Sequence, residues 1–383
     1  MNVMKSTLRA AMLLLFVASL VSPARAFYMA APYRFEGGKM IVQASIGGQT
    51  GKFLLDTGAP CTLTSSFAQR AGVGLGEAMR FSDSNGQMVS VQMTTLSRLV
   101  VGGVSFMQLQ AVVLEPGNIV EQMGVDGIVG YNLMRQGIVK FDSRRSLFIL
   151  TDERDSLGLD YNYCTEMLAD SYVPLLPVRV GAQVDTVMFD TGAESLYEMS
   201  VSSFRRMVAD TASLHIVAHG VGILSAGAAG VEQASEKWRV LIPTFSVGAA
   251  RFARATTITT DAPDSRIGSP LLRFGDVVLD YADGFFYFQP HEPAVVSDVY
   301  EPEWNIVVTV MNGQLVAGIV WDDGGSGIRS GDTIVAVRGE RVGNVDMRAA
   351  LTQSLFNFSP DGTPITYRSQ TTGEERDAML RMQ

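Results

Sequence analysis

The sequence predicts a mainly β protein built from two duplicated β lobes and a small α+β unit after them. Two observations carry the duplication. An Asp-Thr-Gly-Ala motif occurs twice, at 56–59 and again at 190–193, and a second pair of matching segments follows at nearly the same offset. A third sets the class: short apolar runs rich in β-branched residues stand between Gly, Asn and Asp, the punctuation of strands and tight turns.

The first motif is Leu54-Leu55-Asp56-Thr57-Gly58-Ala59 and the second is Met188-Phe189-Asp190-Thr191-Gly192-Ala193. Each ends an apolar strand. Each is preceded by another apolar strand and a glycine turn, at Gly47-Gly48 and at Gly181. Further on, Asp126-Gly127-Ile128-Val129-Gly130-Tyr131-Asn132-Leu133-Met134 leads into Val139-Lys140-Phe141-Asp142. Its counterpart, Ser265-Arg266-Ile267-Gly268-Ser269-Pro270-Leu271-Leu272, leads into Val277-Val278-Leu279-Asp280. Both read as strand, short helix, strand. The boundaries that follow are one lobe over 27–158, a second over 159–292, a linker over 293–302 with three prolines nearby, and a last unit over 303–383.

Hydrophobic residues at 47% and charged residues at 18% place the chain among globular proteins and not disordered ones. A net charge of −9, with no cluster of lysines, argues against nucleic-acid binding. Residues 1–26 read as an export signal. Lys5 and Arg9 precede an apolar run, and Ala24-Arg25-Ala26 is a small-x-small cleavage site, so the mature chain is expected to begin at Phe27 in the periplasm or outside the cell. No later segment reads as a membrane span. Cys61 and Cys164 are permitted a disulfide by export, and two free thiols fit the sequence as well.

Paired carboxylates have a definite chemistry. Two of them within hydrogen-bond distance cannot both ionise cheaply, so the pair holds one proton. The ionised member can activate a water, and the protonated member can polarise a carbonyl and protonate a leaving amine. Gly58 and Gly192 permit tight loops whose N–H groups can bind the carboxylates. The hydroxyls of Thr57 and Thr191 can bond across to the opposite loop, and Ala59 and Ala193 complete each loop.

On these motifs, residues 27–292 resemble the retropepsin and pepsin clan of aspartic peptidases, with short lobes like those of bacterial retropepsin-like proteins. The resemblance implies two retropepsin-like β lobes that form a pepsin-like unit, with catalytic Asp56 and Asp190 and no cofactor or metal. It also implies a hydrophobic-hydrophobic-Gly brace behind each loop and a β-hairpin flap. Asn85-Gly86-Gln87 lies where the first flap belongs and carries an Asn-Gly turn signal, without the flap tyrosine of pepsins. Gly220 to Gly230, rich in Gly and Ala, fits either a flap of the second lobe or an ordinary flexible loop. Two departures stand out: Arg266 occupies an apolar position of the second brace, and Pro60-Cys61 follows the first motif. A buried Arg266 would need an acidic partner.

Residues 303–383 resemble a bacterial PDZ domain through Ala317-Gly318-Ile319-Val320 and Ser326-Gly327-Ile328-Arg329-Ser330-Gly331-Asp332-Thr333-Ile334. The resemblance implies capture of an extended peptide or its C-terminus, with Trp304-Asn305-Ile306-Val307 as the candidate carboxylate loop and 346–355 as the groove helix. His215 and His219 show helical metal-binding spacing, but Gly220-Val221-Gly222 argues against a helix there, which leaves them as surface residues. The function expected is an exported endopeptidase acting on peptides or unfolded proteins. The alternatives are a peptide-binding or sensor protein that keeps the fold, and a structural protein of the cell envelope.

Overall fold

The computed structural model describes residues 27–82, 88–169, 171–223, 226–227, 230–293, 295–352, 356 and 358–383. The expected export signal at 1–26 and the candidate flap residues Asn85, Gly86 and Gln87 lie outside the described residues, as do parts of 220–230 and 346–355. The fold is mainly β. Among the described residues no helix is long and apolar enough to cross a membrane.

Each repeat begins with a hairpin that ends at its aspartate. Lys39–Ile46 pairs antiparallel with Gln49–Asp56 through the two-residue turn Gly47-Gly48. Both glycines have positive φ, +56° and +78°, the geometry a tight right-twisted hairpin demands. In the second repeat Leu175–Val180 pairs with Gln183–Asp190 in the same way. A short strand then runs parallel to each aspartate strand: Gly127–Gly130 with Asp56 opposite Gly130, and Ser265–Gly268 with Asp190 opposite Gly268. The two matches seen in the sequence are therefore two structural features, the aspartate strands and the braces beside them. Tyr131–Met134 follows the first brace as an α-helical turn. Its counterpart Ser269–Arg273 is a 3₁₀ helix with Pro270 in its first turn.

The repeats join through one continuous sheet. Its strands run in the order Tyr28–Glu36, Leu147–Thr151, Ile138–Asp142, Gly275–Asp280, Phe285–Pro290 and Cys164–Glu166. At the centre, Ile138–Asp142 pairs antiparallel with Gly275–Asp280, Lys140 facing Val278. These two residues are themselves counterparts in the duplication, so a local two-fold axis relating the repeats passes between them. Across this axis one apolar core continues without a break, from Met29 and Leu55 to Phe189 and Phe288.

The segment expected to be a plain linker carries a short strand. Val296–Asp298 adds in parallel to Ala250–Thr260, which fastens the connection to the second repeat. The remaining chain packs its own core from Ile306, Leu315, Ile334, Ile365, Tyr367 and Leu380. This C-terminal unit meets the second repeat edge to edge: Gly222 of the strand His215–Gly222 pairs with Ile319, and the Ile223 N–H donates to Gly318 O at 3.0 Å. A Cβ on Gly222 would stand 2.0 Å from Gly318 O, so only glycine fits there. Asn305, in the candidate carboxylate loop, is committed inward. Its amide donates to Asp322 O and Met379 O, and its N–H donates to Arg381 O.

The brace glycines press closely on the motif loops. A Cβ on Gly130 would lie 2.2 Å from Ala59 O, and one on Gly268 would lie 2.4 Å from Ser195 O. Gly130→Ala and Gly268→Ala are each expected to destabilise by about 1–3 kcal/mol in chemical denaturation. Gly343→Ala, whose Cβ meets nothing within 4 Å, serves as the control that changes little.

Candidate active site

The two motif loops meet on the local two-fold, and their threonines lock them together. Thr57 N–H donates to Thr191 Oγ1 at 3.1 Å, and Thr191 N–H donates to Thr57 Oγ1 at 3.0 Å. Each hydroxyl then donates onward across the interface, Thr57 Oγ1 to Phe189 O at 2.6 Å and Thr191 Oγ1 to Leu55 O at 2.9 Å. Both threonines are fully buried, so these four bonds are shielded from competing water. The acceptors are the main-chain carbonyls that immediately precede the aspartates, so the grip fixes the backbone from which both carboxyls project.

Within each loop the glycine N–H binds its own aspartate, Gly58 N to Asp56 Oδ1 at 2.8 Å and Gly192 N to Asp190 Oδ1 at 2.9 Å. The lack of a Cβ at both glycines is a steric requirement. A Cβ on Gly192 would stand 2.5 Å from Asp56 Oδ2 and 3.1 Å from Asp190 Oδ1; one on Gly58 would stand 3.0 Å from the Asp190 carboxyl. The carboxyls thus converge on one point. Burial first, and the Asp190 charge second, push Asp56 up to about 7, against the opposing pull of the Gly58 N–H. Asp56 keeps a partial opening toward the cleft although protein atoms enclose it on most sides. Together these features can hold a water between a carboxylate and a carboxylic acid.

Both aspartates open into a cavity of about 1680 Å³. On the first repeat Leu54, Val112, Leu114, Val120 and Ile128 form an apolar stretch of its wall. On the second repeat the wall is charged. Arg266 is buried at 9% exposure, with Nη1 3.5 Å from Glu198 Oε2 and Nε 3.7 Å from Asp190 Oδ2. The acidic partner that a buried arginine requires is therefore present twice. Burial raises Glu198 above the ordinary carboxylate range, and the Arg266 charge opposes this.

Two residues of this site carry no sequence signal. Lys39 reaches in from the first position of the strand Lys39–Ile46, well ahead of the Asp56 motif. It donates to Gly192 O at 2.6 Å and pairs with Glu194 at 2.9 Å. Glu198 takes its place through a bridge to Arg266, a residue far from it in the chain. The cysteines are both free. Cys61 is buried beside the first brace, where its sulfur accepts from Gly130 N–H, and burial pushes its thiol up to about 11. His215 and His219 lie on a strand, with His219 against Trp238, and His291 shares a hydrogen bond with Ser143. Glu121 bonds the Gly117 N–H and so ties its own loop.

Strands Ala78–Ser82 and Met88–Val101 pair antiparallel up to Ser82 and Met88. Met93, further along the second of these strands, lines the cavity.

No curated protein matches the chain. Residues 42–133 match a family model described as aspartyl protease. That span runs from the strand before Gly47 through the Asp56 loop and the Gly127–Gly130 brace to Leu133, and it supports reading the chain as a hydrolase of the protease type.

Proposed function

We propose that the protein is an aspartic endopeptidase in which the two repeats form a bilobal pepsin-like unit. The observation that carries the reading is the reciprocal threonine grip, which brings two carboxyls of equivalent origin to one point in one cavity. A bound water loses a proton to the ionised carboxyl as its oxygen attacks the peptide carbonyl carbon. The protonated carboxyl donates to the carbonyl oxygen, giving a tetrahedral diol. On collapse the C–N bond breaks, a diol hydroxyl gives its proton to the carboxylate, and the carboxylic acid passes its proton to the leaving nitrogen, so the pair is again singly protonated. The substrates are peptides or unfolded protein segments, met in the periplasm or outside the cell after removal of residues 1–26. Residues 303–383 act as a PDZ-like unit that holds a partner or substrate peptide.

A second reading, a peptide-binding or sensor protein, draws on Arg266, whose charge beside Asp190 departs from the apolar brace of peptidases. One experiment separates them. Asp56→Asn and Asp190→Asn are each expected to lower cleavage of a diverse peptide mixture by about a thousandfold or more, read by mass spectrometry with folding followed by circular dichroism. Turnover that persists in either folded variant sinks the assignment of the pair. A parent chain that binds peptides without cutting them favours the second reading.

The pH dependence follows from the shared proton. Because Asp56 is raised to about 7, it keeps its proton through the acid range and loses it as pH rises through about 7. A plot of kcat/KM against pH is therefore expected to show its basic limb near 7. The sign for stability is the same. Native Asp56 holds its proton more tightly than the unfolded chain does, so its contribution is full below the ordinary carboxylate range and is lost as pH rises through about 7.

The threonine grip is testable apart from the carboxyls. Thr57→Val keeps the volume but strips Thr191 N–H and Phe189 O of a buried partner, at a cost of about 2 kcal/mol. Stability in urea and kcat are both expected to fall, and Thr57→Ser is expected to recover most of each.

A further inference from the structure

The two repeats face the carboxyl pair with different chemistry at equivalent positions. In the first, Leu54 lies beside Ile128 in the parallel pair and Thr62 lies opposite Ile128. By the same register the second repeat presents Met188, Arg266 and Glu198. All six line the cavity that contains Asp56 and Asp190. Leu54 and Ile128 are continuous with an apolar cluster, so the first wall rewards an apolar side chain. The second wall replaces an isoleucine and a threonine with an ion pair.

The sign of the charge sought by that wall follows from its own balance. One guanidinium, Arg266, serves three carboxyls. It is within 4 Å of Glu198 and Asp190, and it acts at longer range on Asp264, which also lines the cavity. Lys39 acts on Glu198 at longer range, but it brings its own carboxylate, Glu194, at 2.9 Å. Burial has raised both Glu198 and Asp264, which shows carboxyls withdrawn from water with too little positive charge to compensate. An incoming cation would supply what is missing, whereas an incoming carboxylate would meet three acids and one occupied arginine. The flexible stem of a lysine or arginine can lie along Met188 while its head reaches Glu198.

We infer that the cleft selects an extended peptide with an apolar side chain against Leu54 and Ile128 and a lysine or arginine side chain against Glu198 and Asp264, so that cleavage falls between an apolar and a basic residue. The inference rests on the peptidase reading for its reaction, but not for its recognition. The test begins with the full chain and a peptide library read by mass spectrometry. Expected are cleavage sites with apolar residues on one side of the broken bond and lysine or arginine on the other. Two peptides differing only in lysine or norleucine at that position then give a ratio of kcat/KM. Glu198→Gln and Asp264→Asn are each expected to lower the ratio by about fivefold or more. Arg266→Met, checked for folding by circular dichroism, is expected to raise it. Absence of a basic preference, enrichment of acidic residues there, or a ratio unmoved by both acid variants overturns the inference. The same two peptides are titrated against the Asp56→Asn protein by fluorescence anisotropy. If the parent cuts nothing, yet the lysine peptide binds more tightly and Glu198→Gln in the Asp56→Asn background erases the difference, the recognition stands and the peptidase reading falls. Equal affinities in that background reject the recognition itself.

Discussion

The structure depends on the exchange of hydrogen bonds between Thr57 and Thr191. Each threonine uses its N–H and its hydroxyl on the opposite loop, so neither loop is satisfied without the other. Because all four bonds are buried, opening the interface would leave several polar groups without water or partner, at roughly 1–3 kcal/mol each. The same contact places two acids where they repel. The repulsion does not open the site because it acts on side chains, whereas the grip holds the backbone beneath them. What changes is the charge state: burial, with the repulsion added to it, keeps a proton on Asp56 to near-neutral pH.

Around this contact the duplication is expressed in register. The braces repeat at a slightly larger offset than the aspartate strands, and the difference is absorbed between them, partly by a longer link from the second motif to its helix. Thr64 caps the first helix, and Ser200, its counterpart, caps the second. Each accepts from the N–H of the third residue after it. The central sheet then closes on the axis between Lys140 and Val278. Insertions are tolerated where the chain passes over the surface and not where Gly130 and Gly268 press on the motif loops.

Much of this was legible in the sequence, and the misses have physical reasons. The Asp-Thr-Gly loops, the apolar strands entering them and the glycine braces are local patterns, so Asp56 and Asp190 could be named from residues alone. The strand Val296–Asp298 was missed because it adds to an edge in a proline-rich stretch, where the main-chain partner and not the side-chain pattern makes the strand. Gly220 to Gly230 reads as a candidate flap or loop, and the strand His215–Gly222 runs into its start. Its glycine content instead permits close approach to the C-terminal unit, which only the assembled fold makes visible. Lys39 and Glu198 entered the site through contacts far apart in sequence. Arg266 was conspicuous as a wrong residue in an apolar motif, but its two partners could not be read from spacing.

Why the repeats agree so closely in their loops and differ so sharply in their walls follows from strand alternation. In each brace one residue turns into the common core, Val129 at 0% and Ile267 at 1% exposure. The residue before it, Ile128 or Arg266, turns to the cavity. A charge at 129 or 267 would be buried without water and would threaten the fold, whereas a charge at 128 or 266 can be paired across the cleft edge. The strand thus separates what the fold requires from what the cavity presents. Glu198 obeys the same logic, since it stands on the cleft side of its bridge to Arg266 while the neighbouring Met199 fills the core. The arginine at the apolar brace position is met by Glu198 and Asp190, whose charges oppose its desolvation. Its consequence falls on the one surface where a changed side chain alters what the protein can hold.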